Sequence, residues 1–555
     1  MANQSGRFAI VEQLLADGIT YMFGNPGTVE QGFLDALSCY PNFKYILALH
    51  EGVAVGMADG YARSTKKPTV VQLHSSVGLG NGIGMIYQAY RGHAPLIILS
   101  GEAGIRYDAL DAQMAVDLVA MAKPVTKWAT RVVDPSSVLR VLRRAIKIAA
   151  TPPMGPVFVC LPMDILDAIN DEKPLPTSFL VTRVAPEPDQ IALAASFLAT
   201  AQKPLILLGD GVAVAGAQPE VTRVAELTGS EVWGADSSEV NISATHPLFQ
   251  GQLGHMFGED SRKVTSQADV VLICGTYVFP EVFPVLSGAF AEDAKIIHID
   301  LNAYEVAKNF PVDLGFISDP KVTLSKISSV LESIMIADQK ARAKARLAHY
   351  TSLQEQKATQ QQQEEQSLEH VEPLTAAQFM KALAHQLSAE AIIFDEALTA
   401  TPDLVRYIPP TTPGHYFLTR GGSLGVGIPG ALGIKLARPD KTVIAFTGDG
   451  GSMYTMQALW TAAHYKIGAK FVICNNHSYK LLKQNLTQYW HERHVQEHEF
   501  PPSFDLRDPD IRFDTLALSM GVQAVRLERP EQLDPVIRQM LTNDEPFLID
   551  LVIEN

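Results

Sequence analysis

The sequence predicts an α/β protein made of three doubly wound domains, each built on a parallel sheet. Three observations support this fold class. Short apolar runs rich in β-branched residues alternate along the chain with segments whose apolar residues have helical spacing. Polar residues follow several of these runs directly, as is typical of the carboxyl ends of parallel strands. A chain of 555 residues is also too long for one core and sufficient for about three domains of ordinary size.

Composition shifts predict where the domains begin and end. Residues 1–180 form the first predicted domain, and a stretch rich in proline and charge, residues 172–188, leads out of it. Residues 189–340 form the central domain. Residues 341–371 are rich in Gln, Ala and charge, which predicts a linker that is a surface helix or partly disordered. Residues 372–555 form the third domain.

Bulk composition excludes several classes of function. A net charge of −15 argues against a nucleic-acid partner. No apolar stretch approaches the ~20 residues that span a bilayer, and the N-terminus lacks the pattern of a signal peptide, so no membrane partner is expected. The four cysteines are far apart and without metal-ligand spacing, which predicts reduced thiols in a cytoplasmic protein: Cys39, Cys160, Cys274 and Cys474.

Candidate site residues in the first domain follow predicted strands. Thr28 follows the strand Tyr21–Phe23, Glu51 follows Tyr45–Leu49, and His74 follows Thr69–Leu73. A buried carboxylate at a strand end needs a partner, so Glu51 is a functional candidate, although it could instead pair with Arg63 or cap a helix. His74 is a candidate acid/base because imidazole titrates near neutral pH. Its alternative is a structural hydrogen bond beneath a glycine-rich turn at residues 78–82.

The central domain carries a weaker signal. Its strand Pro204–Leu208 is followed by glycines between positions 209 and 216. This spacing matches neither the dinucleotide fingerprint nor a P-loop, so it predicts a tight turn between a strand and a helix. A nucleotide or flavin in this domain is neither required nor excluded by the sequence.

Two motifs in the third domain predict a metal site. Gly448–Ser452 follows the apolar run Thr442–Phe446, and Asn475–Ser478 follows Phe471–Cys474, with helical spacing at Met456–Tyr465 between them. Carboxylate and amide oxygens suit Mg²⁺, and adjacent glycines allow the backbone to approach a phosphate. The two motifs together therefore predict a Mg²⁺–diphosphate site. For the first motif alone, a turn whose Asp caps a helix is an equal alternative.

The order of these motifs resembles that of thiamine diphosphate-dependent enzymes, in particular the 2-oxo acid decarboxylases related to benzoylformate decarboxylase. The resemblance covers essentially the whole chain and rests on residues 24–28, 45–51, 58–62, 73–75, 448–452, 458–463 and 475–476. It implies that the three domains are pyrimidine-binding, central and diphosphate-binding, and that the cofactors are thiamine diphosphate and Mg²⁺. It also implies a homodimer or homotetramer whose active sites each take Glu51 from one subunit and Asp449 from another.

The same resemblance assigns roles to individual residues. Asp449, Asn476 and the Ser478 carbonyl would ligate Mg²⁺, while Gly450, Gly451 and Thr399 would face the diphosphate. Glu51 would hydrogen-bond the aminopyrimidine ring, and His74 and Thr28 would act near the substrate. Leu424 would support the bent cofactor.

The implied activity is non-oxidative decarboxylation of an apolar or aromatic 2-oxo acid, with carboligation to an aldehyde acceptor as a side activity. Two departures affect this expectation: Thr28 stands where the relatives have serine, and residues 276–284 lack the second histidine of those enzymes. An acyloin-forming synthase or lyase is the alternative, although acetolactate synthases carry glutamine at the position of His74. A non-catalytic cofactor-binding paralogue is disfavoured, because Glu51, Asp449 and Asn476 are all present.

Overall fold

The structure is a computed structural model that describes residues 4–254, 256–279, 281–368 and 372–554. Residue 280, inside the apolar stretch 276–284, and residues 369–371, at the end of the predicted linker, lie outside these ranges. None of the described helices is both long enough and apolar enough to cross a membrane.

The first domain contains a six-stranded parallel sheet in the order β3-β2-β4-β5-β7-β6, with β1 and β8 paired antiparallel beside it. Its strands are β1 Gln4–Ser5, β2 Tyr21–Gly24, β3 Lys44–Leu47, β4 Thr69–Leu73, β5 Leu96–Glu102, β6 Trp128–Arg131, β7 Val157–Pro162 and β8 Ile169–Asn170. Its helices are α1 Gly6–Ala16, α2 Gln31–Leu37, α3 Glu51–Thr65, α4 Ser75–Arg91, α5 Leu118–Ala122, α6 Val138–Ala150 and α7 Met163–Asp167.

The central domain has the parallel order β11-β10-β9-β12-β13-β14, which is the doubly wound arrangement of dinucleotide-binding folds. Its strands are β9 Pro204–Leu208, β10 Glu231–Gly234, β11 Phe249–Gln252, β12 Val270–Cys274, β13 Lys295–Asp300 and β14 Leu314–Ile317. Its helices are α8 Pro188–Thr200, α9 Gly211–Ala215, α10 Gln218–Thr228, α11 Glu259–Thr265, α12 Pro320–Ile334 and α13 Ala337–Leu368.

The glycines after β9 form a tight turn, as the sequence predicts. Gly209 N donates to Cys274 O at 3.1 Å and Gly211 N donates to Gly275 O at 2.9 Å, so the loops after β9 and β12 are bonded to each other. A Cβ on Gly211 would lie 2.5 Å from the Gly275 Cα, which leaves no room for a side chain. Most of the predicted linker is the polar helix α13.

The third domain repeats the strand order of the first. Its sheet runs β16-β15-β17-β18-β20-β19, so both sheets place their six strands, counted along the chain, in the order 2-1-3-4-6-5. Its strands are β15 Ile392–Glu396, β16 Tyr416–Leu418, β17 Val443–Gly448, β18 Lys470–Asn475, β19 Gln523–Leu527 and β20 Phe547–Val552. Its helices are α14 Ala376–Gln386, α15 Thr401–Tyr407, α16 Gly427–Ala437, α17 Asp449–Ser452, α18 Ala458–His464, α19 Lys480–Glu492, α20 Phe513–Ser519 and α21 Leu533–Leu541.

The prediction of three α/β domains with parallel sheets is therefore confirmed. The chain forms two compact units: residues 1–180, 373–404 and 419–555 make one, and residues 181–372 and 405–418 make the other. The domain boundaries predicted from composition remain predictions.

Within the first of these units, α3 packs closely on α16. Glycines on both helices make the close approach possible. A Cβ on Gly60 would overlap the Gly430 carbonyl, and a Cβ on Gly433 would overlap the Met57 carbonyl. Hydrogen bonds also join the two domains elsewhere, from the Thr461 hydroxyl to Leu47 O at 3.0 Å and from Leu47 N to the Tyr465 hydroxyl at 3.0 Å. The first and third domains therefore share one packed interface.

Candidate active site

The strand order explains where polar residues collect in the first domain. After β2 the chain adds β3 on one side of the sheet and then β4 on the other side of β2, so the strand order reverses between β2 and β4. Ligands of open parallel sheets bind at such switch points. Asn25 follows β2 and His74 follows β4, so both lie at this position. Glu51 begins α3 beside them. We call Asn25, Thr28, Glu30, Glu51, His74 and Asn81 the first-domain cluster.

Glu51 is a buried carboxylate held by two amides. Its side chain accepts hydrogen bonds from Asn25 Nδ2 at 3.3 Å and from Asn81 Nδ2 at 3.0 Å, and the residue is 6% exposed. The alternative partner Arg63 pairs with Asp59 instead. Neutral amide donors leave the negative charge uncompensated, which suits a carboxylate that binds a hydrogen-bond donor of a ligand.

His74 is oriented by a carboxylate that sequence reasoning missed. Its Nδ1 lies 2.8 Å from Glu30 Oε2, and Glu30 Oε1 accepts from Gly101 N at 2.9 Å. Burial raises the pKa of Glu30, while the hydrogen bond and charge of His74 act in the opposite direction. This contact fixes the imidazole through Nδ1 and leaves Nε2 for another partner. Gly27 backs the ring, since a Cβ there would overlap it.

The glycine-rich turn predicted at residues 78–82 is wrong, because these residues lie inside α4. Close packing explains the glycine at position 78: a Cβ there would lie 3.1 Å from Glu51 Oε1. Thr28 begins a 3₁₀ turn that ends at Glu30, and it is exposed at the edge of the cluster. The structure thus brings all three predicted first-domain residues to one sheet edge.

The third sheet reverses between β15 and β17, and its polar residues collect at the corresponding point. Glu396 ends β15 and Asp449 follows β17, while Asn476 follows β18 next to it. Thr399 lies in the 3₁₀ turn that follows β15. We call Glu396, Thr399, Leu424, Asp449, Gly450, Gly451, Asn476 and Ser478 the third-domain cluster.

The oxygens of Asp449 and Asn476 converge on one donor. Ser478 N lies 3.2 Å from Asp449 Oδ2 and 3.0 Å from Asn476 Oδ1. Asp449 is 4% exposed, and burial raises the pKa of its carboxyl to about 6 against hydrogen bonds from Gly450 and Ser478. A cation bound to the carboxylate would offset this desolvation. One carboxylate, one amide oxygen and a backbone carbonyl are hard donors that fit Mg²⁺.

Within the described residues, no three His, Cys, Asp or Glu side chains form a metal-binding group. A cation at Asp449 would therefore draw the rest of its octahedron from amide and carbonyl oxygens, water and ligand phosphates, as Mg²⁺ commonly does. The donor set suits Mg²⁺ rather than a metal that prefers nitrogen or sulfur.

The glycines of the first motif provide room beside Asp449. A Cβ on Gly448 would have no heavy atom within 4 Å, and one on Gly451 would meet only ordinary contacts, the nearest being Thr447 Oγ1 at 3.6 Å. Internal packing therefore does not explain these two glycines, and they leave backbone that a phosphate could approach. Gly450 differs, because the Tyr479 ring excludes any side chain there. Leu424 lies against Gly451, with its Cβ 3.9 Å from a Cβ placed on Gly451.

Glu396 is a second carboxylate that sequence reasoning missed. It accepts hydrogen bonds from Gly425 N at 2.5 Å and Gly427 N at 2.6 Å, at the start of α16. Burial raises its pKa to about 7, and these backbone bonds lower it. Glu396 thereby fixes the glycine-flanked loop that carries Leu424. The sequence signal was present, since two carboxylates, Asp395 and Glu396, directly follow the apolar run Ile392–Phe394.

Each cluster is held by its own domain. The hydrogen bonds to Glu51 and His74 come from first-domain residues, and those to Asp449 come from Gly450 and Ser478. Each cluster is thus built within one domain: the first offers a carboxylate and an imidazole, and the third offers a carboxylate and amide oxygens beside open backbone.

Comparison with protein families assigns all three domains. Residues 4–121 match the model "Thiamine pyrophosphate enzyme, N-terminal TPP binding domain", residues 191–327 match the central domain, and residues 399–551 match the C-terminal TPP binding domain.

Individual relatives extend over the full chain. Benzoylformate decarboxylase of Pseudomonas aeruginosa is 30% identical, with 98% of each chain covered. A probable acetolactate synthase large subunit of Methanococcus aeolicus is 28% identical and covers 99% of this chain and 92% of its own. Among solved structures, the thiamine diphosphate-dependent 4-hydroxybenzoylformate decarboxylase of Rhodococcus jostii has a TM-score of 0.85 at 26% identity, with 99% of both chains covered. The relatives thus include both decarboxylases and acetolactate synthases.

Proposed function

Because the chain belongs to the thiamine pyrophosphate enzyme family, with thiamine diphosphate as cofactor and Mg²⁺ as the usual partner metal, we propose that it decarboxylates a 2-oxo acid without oxidation. An apolar or aromatic substrate is favoured, because benzoylformate and 4-hydroxybenzoylformate decarboxylases are among its relatives. When bound, thiamine diphosphate would supply an electron sink for the bonding electrons that CO₂ leaves behind.

One observation carries this proposal: the contact of 2.8 Å between His74 Nδ1 and Glu30. A carboxylate that binds Nδ1 holds the imidazole in one orientation, with Nε2 directed elsewhere as a proton donor or acceptor. A decarboxylase needs such a group to protonate the carbon that loses CO₂. The glutamine that acetolactate synthases carry at this position cannot serve as an acid or base at neutral pH.

The remaining predicted site residues would bind and orient the metal ion and the cofactor. Asp449, Asn476 and the Ser478 carbonyl would hold Mg²⁺, and Gly450 and Gly451 would face the diphosphate, with open backbone at Gly448 and Gly451. Thr399, half-buried after β15, would face the same phosphates.

Two further residues would position the organic part of the cofactor. Leu424, seated against Gly451, would support the cofactor from one side, and the Glu51 carboxylate would hydrogen-bond its pyrimidine ring. Thr28, exposed at the rim of the first-domain cluster, would place a hydroxyl near the substrate.

As the resemblance to thiamine diphosphate-dependent enzymes implies, the active form would be a homodimer or homotetramer in which one subunit's first-domain cluster faces the other's third-domain cluster. We also expect a cytoplasmic location, because the four cysteines are unpaired.

A panel of 2-oxo acids tests the activity. Protein with thiamine diphosphate and Mg²⁺ is incubated with pyruvate, a branched aliphatic 2-oxo acid and benzoylformate, and CO₂ and products are measured. We expect CO₂ release that favours the aromatic or branched acid and that vanishes in Asp449→Ala, which removes the only charged metal ligand of the proposed set. The absence of CO₂ from every acid, in protein that binds the cofactor, would refute the proposal.

Carboligation is the second candidate activity, and one observation favours it. Residues 276–284 carry no histidine in the sequence, so His74 would be the main group that serves proton transfer. If protonation after CO₂ loss is slow, an aldehyde can compete for the same carbon. We expect added acceptor aldehyde to divert a substantial share of product to 2-hydroxy ketone, detected by chromatography, and His74→Ala to depress both routes. Free aldehyde as the sole product at saturating acceptor would exclude this activity.

A further inference from the structure

The turn that carries Asn476 and Ser478 is held from behind by a buried carboxylate. Asn475, the last residue of β18, donates from Nδ2 to Asp550 Oδ1 on the adjacent strand β20 at 3.0 Å. Asp550 is 0% exposed. Asn475 Oδ1 in turn accepts from His477 N at 3.3 Å, inside the turn. Asp550 therefore orients the side chain that closes the turn.

Arg526 neutralises this buried carboxylate. Its Nη1 donates to Asp550 Oδ2 at 3.1 Å, so both oxygens of Asp550 are bonded, one to Asn475 and one to Arg526. Burial raises the pKa of Asp550, while Asn475 and Arg526 act against that rise. A fully buried carboxylate is costly unless it is paired, so the charge of Arg526 stabilises the arrangement that holds Asn475.

The same arginine also reaches the segment that covers the turn. Its Nη2 lies 3.0 Å from Asp510 Oδ2, and Asp510 Oδ1 lies 3.4 Å from His477 Nδ1. Backbone bonds seat this segment on the turn, from Leu506 N to His477 O at 2.8 Å and from Tyr479 N to Phe504 O at 2.9 Å. Arg526 thus links the buried side of the turn with its cover.

The turn itself needs such support. His477 has a φ of +54°, in the left-handed region that non-glycine residues seldom adopt. The strained residue stands between the two predicted ligand positions, Asn476 and Ser478. Its conformation decides where the Asn476 Oδ1 and the Ser478 carbonyl point.

We infer that Arg526 is a positioning residue for the metal-binding turn: through Asp550 and Asp510 it fixes Asn475 and His477, and so preorganises the Mg²⁺ ligands that the proposed function assigns. The inference rests on that ligand assignment. Groups that orient metal ligands typically affect metal affinity by about 10- to 100-fold when removed. Among the described residues, the hydrogen bonds and ion pairs of Arg526 go to Glu528, Asp550 and Asp510, none of them a predicted cofactor or substrate residue. Its loss should therefore weaken Mg²⁺ binding without lowering turnover at saturating Mg²⁺ and cofactor.

The test compares three variants by calorimetric titration of Mg²⁺ into protein with excess thiamine diphosphate. Arg526→Met keeps the length and removes the charge, and we expect its Kd for Mg²⁺ to rise about tenfold or more. Asp510→Asn cuts only the link to the covering segment and should give a smaller rise. Glu528→Gln is the matched control, because Glu528 binds Arg526 Nε at 2.8 Å and lies on the outward side, so its Kd should not change.

The outcomes separate this role from a merely structural one. An unchanged Kd in Arg526→Met, with a lowered melting temperature, overturns the inference, as does an equal rise in Glu528→Gln. If Arg526→Met does not fold, the Kd of Asp510→Asn for Mg²⁺ decides instead: a rise supports the inference and an unchanged value overturns it. Turnover within about twofold of wild type at saturating Mg²⁺ is expected for each folded variant. Wild-type protein that binds Mg²⁺ and cofactor but releases no CO₂ refutes the proposed function alone, since the titration remains interpretable.

Discussion

Glu51 is a buried carboxylate at the start of a helix, with two amide donors and no positive partner among its hydrogen bonds. Glu51→Gln keeps the volume and removes the proton-holding group. We expect the cofactor to bind with nearly wild-type affinity, while exchange of the cofactor's C2 proton slows by about 10²-fold or more. Calorimetry measures the affinity and NMR follows the exchange. Wild-type exchange in the variant would show that Glu51 is structural.

Glu30 acts through His74, so its effect should differ from that of a cofactor ligand. Glu30→Gln keeps a side chain of similar shape but loses the charge that orients the imidazole, and we expect kcat to fall by about tenfold or more. Cofactor affinity should not change. Glu102→Gln, next to Gly101 but paired with Arg131, is the matched control and should leave kcat near wild type. Equal losses in both variants would contradict the assigned role.

Glu396 should give the apoprotein a characteristic pH dependence. Its pKa of about 7 lies above the ordinary value of 4.5, because burial disfavours the ionised form. The carboxyl of Glu396 therefore keeps its proton to a higher pH in the folded state than in the unfolded state. The stability that this proton contributes is present below pH 4.5 and is lost as the pH rises through 7. Calorimetric melting should be measured for wild type and Glu396→Gln as the pH rises from 4.5 to 7. Over this range, the free energy of unfolding of the variant should increase by on the order of 1–3 kcal/mol relative to that of wild type. If the free energies of unfolding of the two proteins change in parallel with pH, the raised pKa of Glu396 is contradicted.

At the residue scale, the sequence allowed the prediction of residues with strong local patterns. Asp449 and Asn476 stand in motifs directly after apolar strands, and the structure brings their oxygens to one donor. Glu30 and Arg526 were missed for a physical reason. Their partners His74, Asp510 and Asp550 are distant along the chain or on another strand, and only the folded sheet brings them together.

At the element scale, the crossing of α3 and α16 depends on glycines that the sequence could not distinguish from flexible ones. Residues 78–82 illustrate the same ambiguity: a glycine-rich stretch predicts a turn, but here it lies within α4, where packing against Glu51 limits the size of residue 78. Helix identity depended on tertiary contacts that local propensity does not contain.

Gly433→Ala tests this crossing. The added Cβ would overlap the Met57 carbonyl, and because both atoms belong to helices, the helices must separate. We expect a loss of about 1–3 kcal/mol or more in the free energy of unfolding. The control is Gly84→Ala within α4, where a Cβ meets nothing within 4 Å and should be neutral or stabilise by up to ~1 kcal/mol. Denaturant unfolding measures both, and equal stabilities would contradict the packing argument.

At the scale of the whole molecule, alternating strands and helices predicted the three-domain α/β architecture, and the sheets confirm it. The shared strand order of the first and third domains could not be predicted, because the two sequences share only a general pattern of strands and helices. The common order places a reversal point in each domain, and each point gathers one of the two clusters. The proposal that the clusters meet across subunits concerns assembly, which the local patterns of one chain do not encode.

We propose that Glu51 of one chain and Asp449 of another chain complete one thiamine diphosphate site. The most direct test mixes Glu51→Gln and Asp449→Ala chains, each nearly inactive alone, after dissociation and reassociation with cofactor and Mg²⁺. A mixed dimer holds one intact site and one site with both changes, so random pairing should restore roughly a quarter of wild-type CO₂ release. Native mass spectrometry verifies that mixed dimers form. Activity no greater than that of the separate variants, in a sample containing mixed dimers, would contradict the claim.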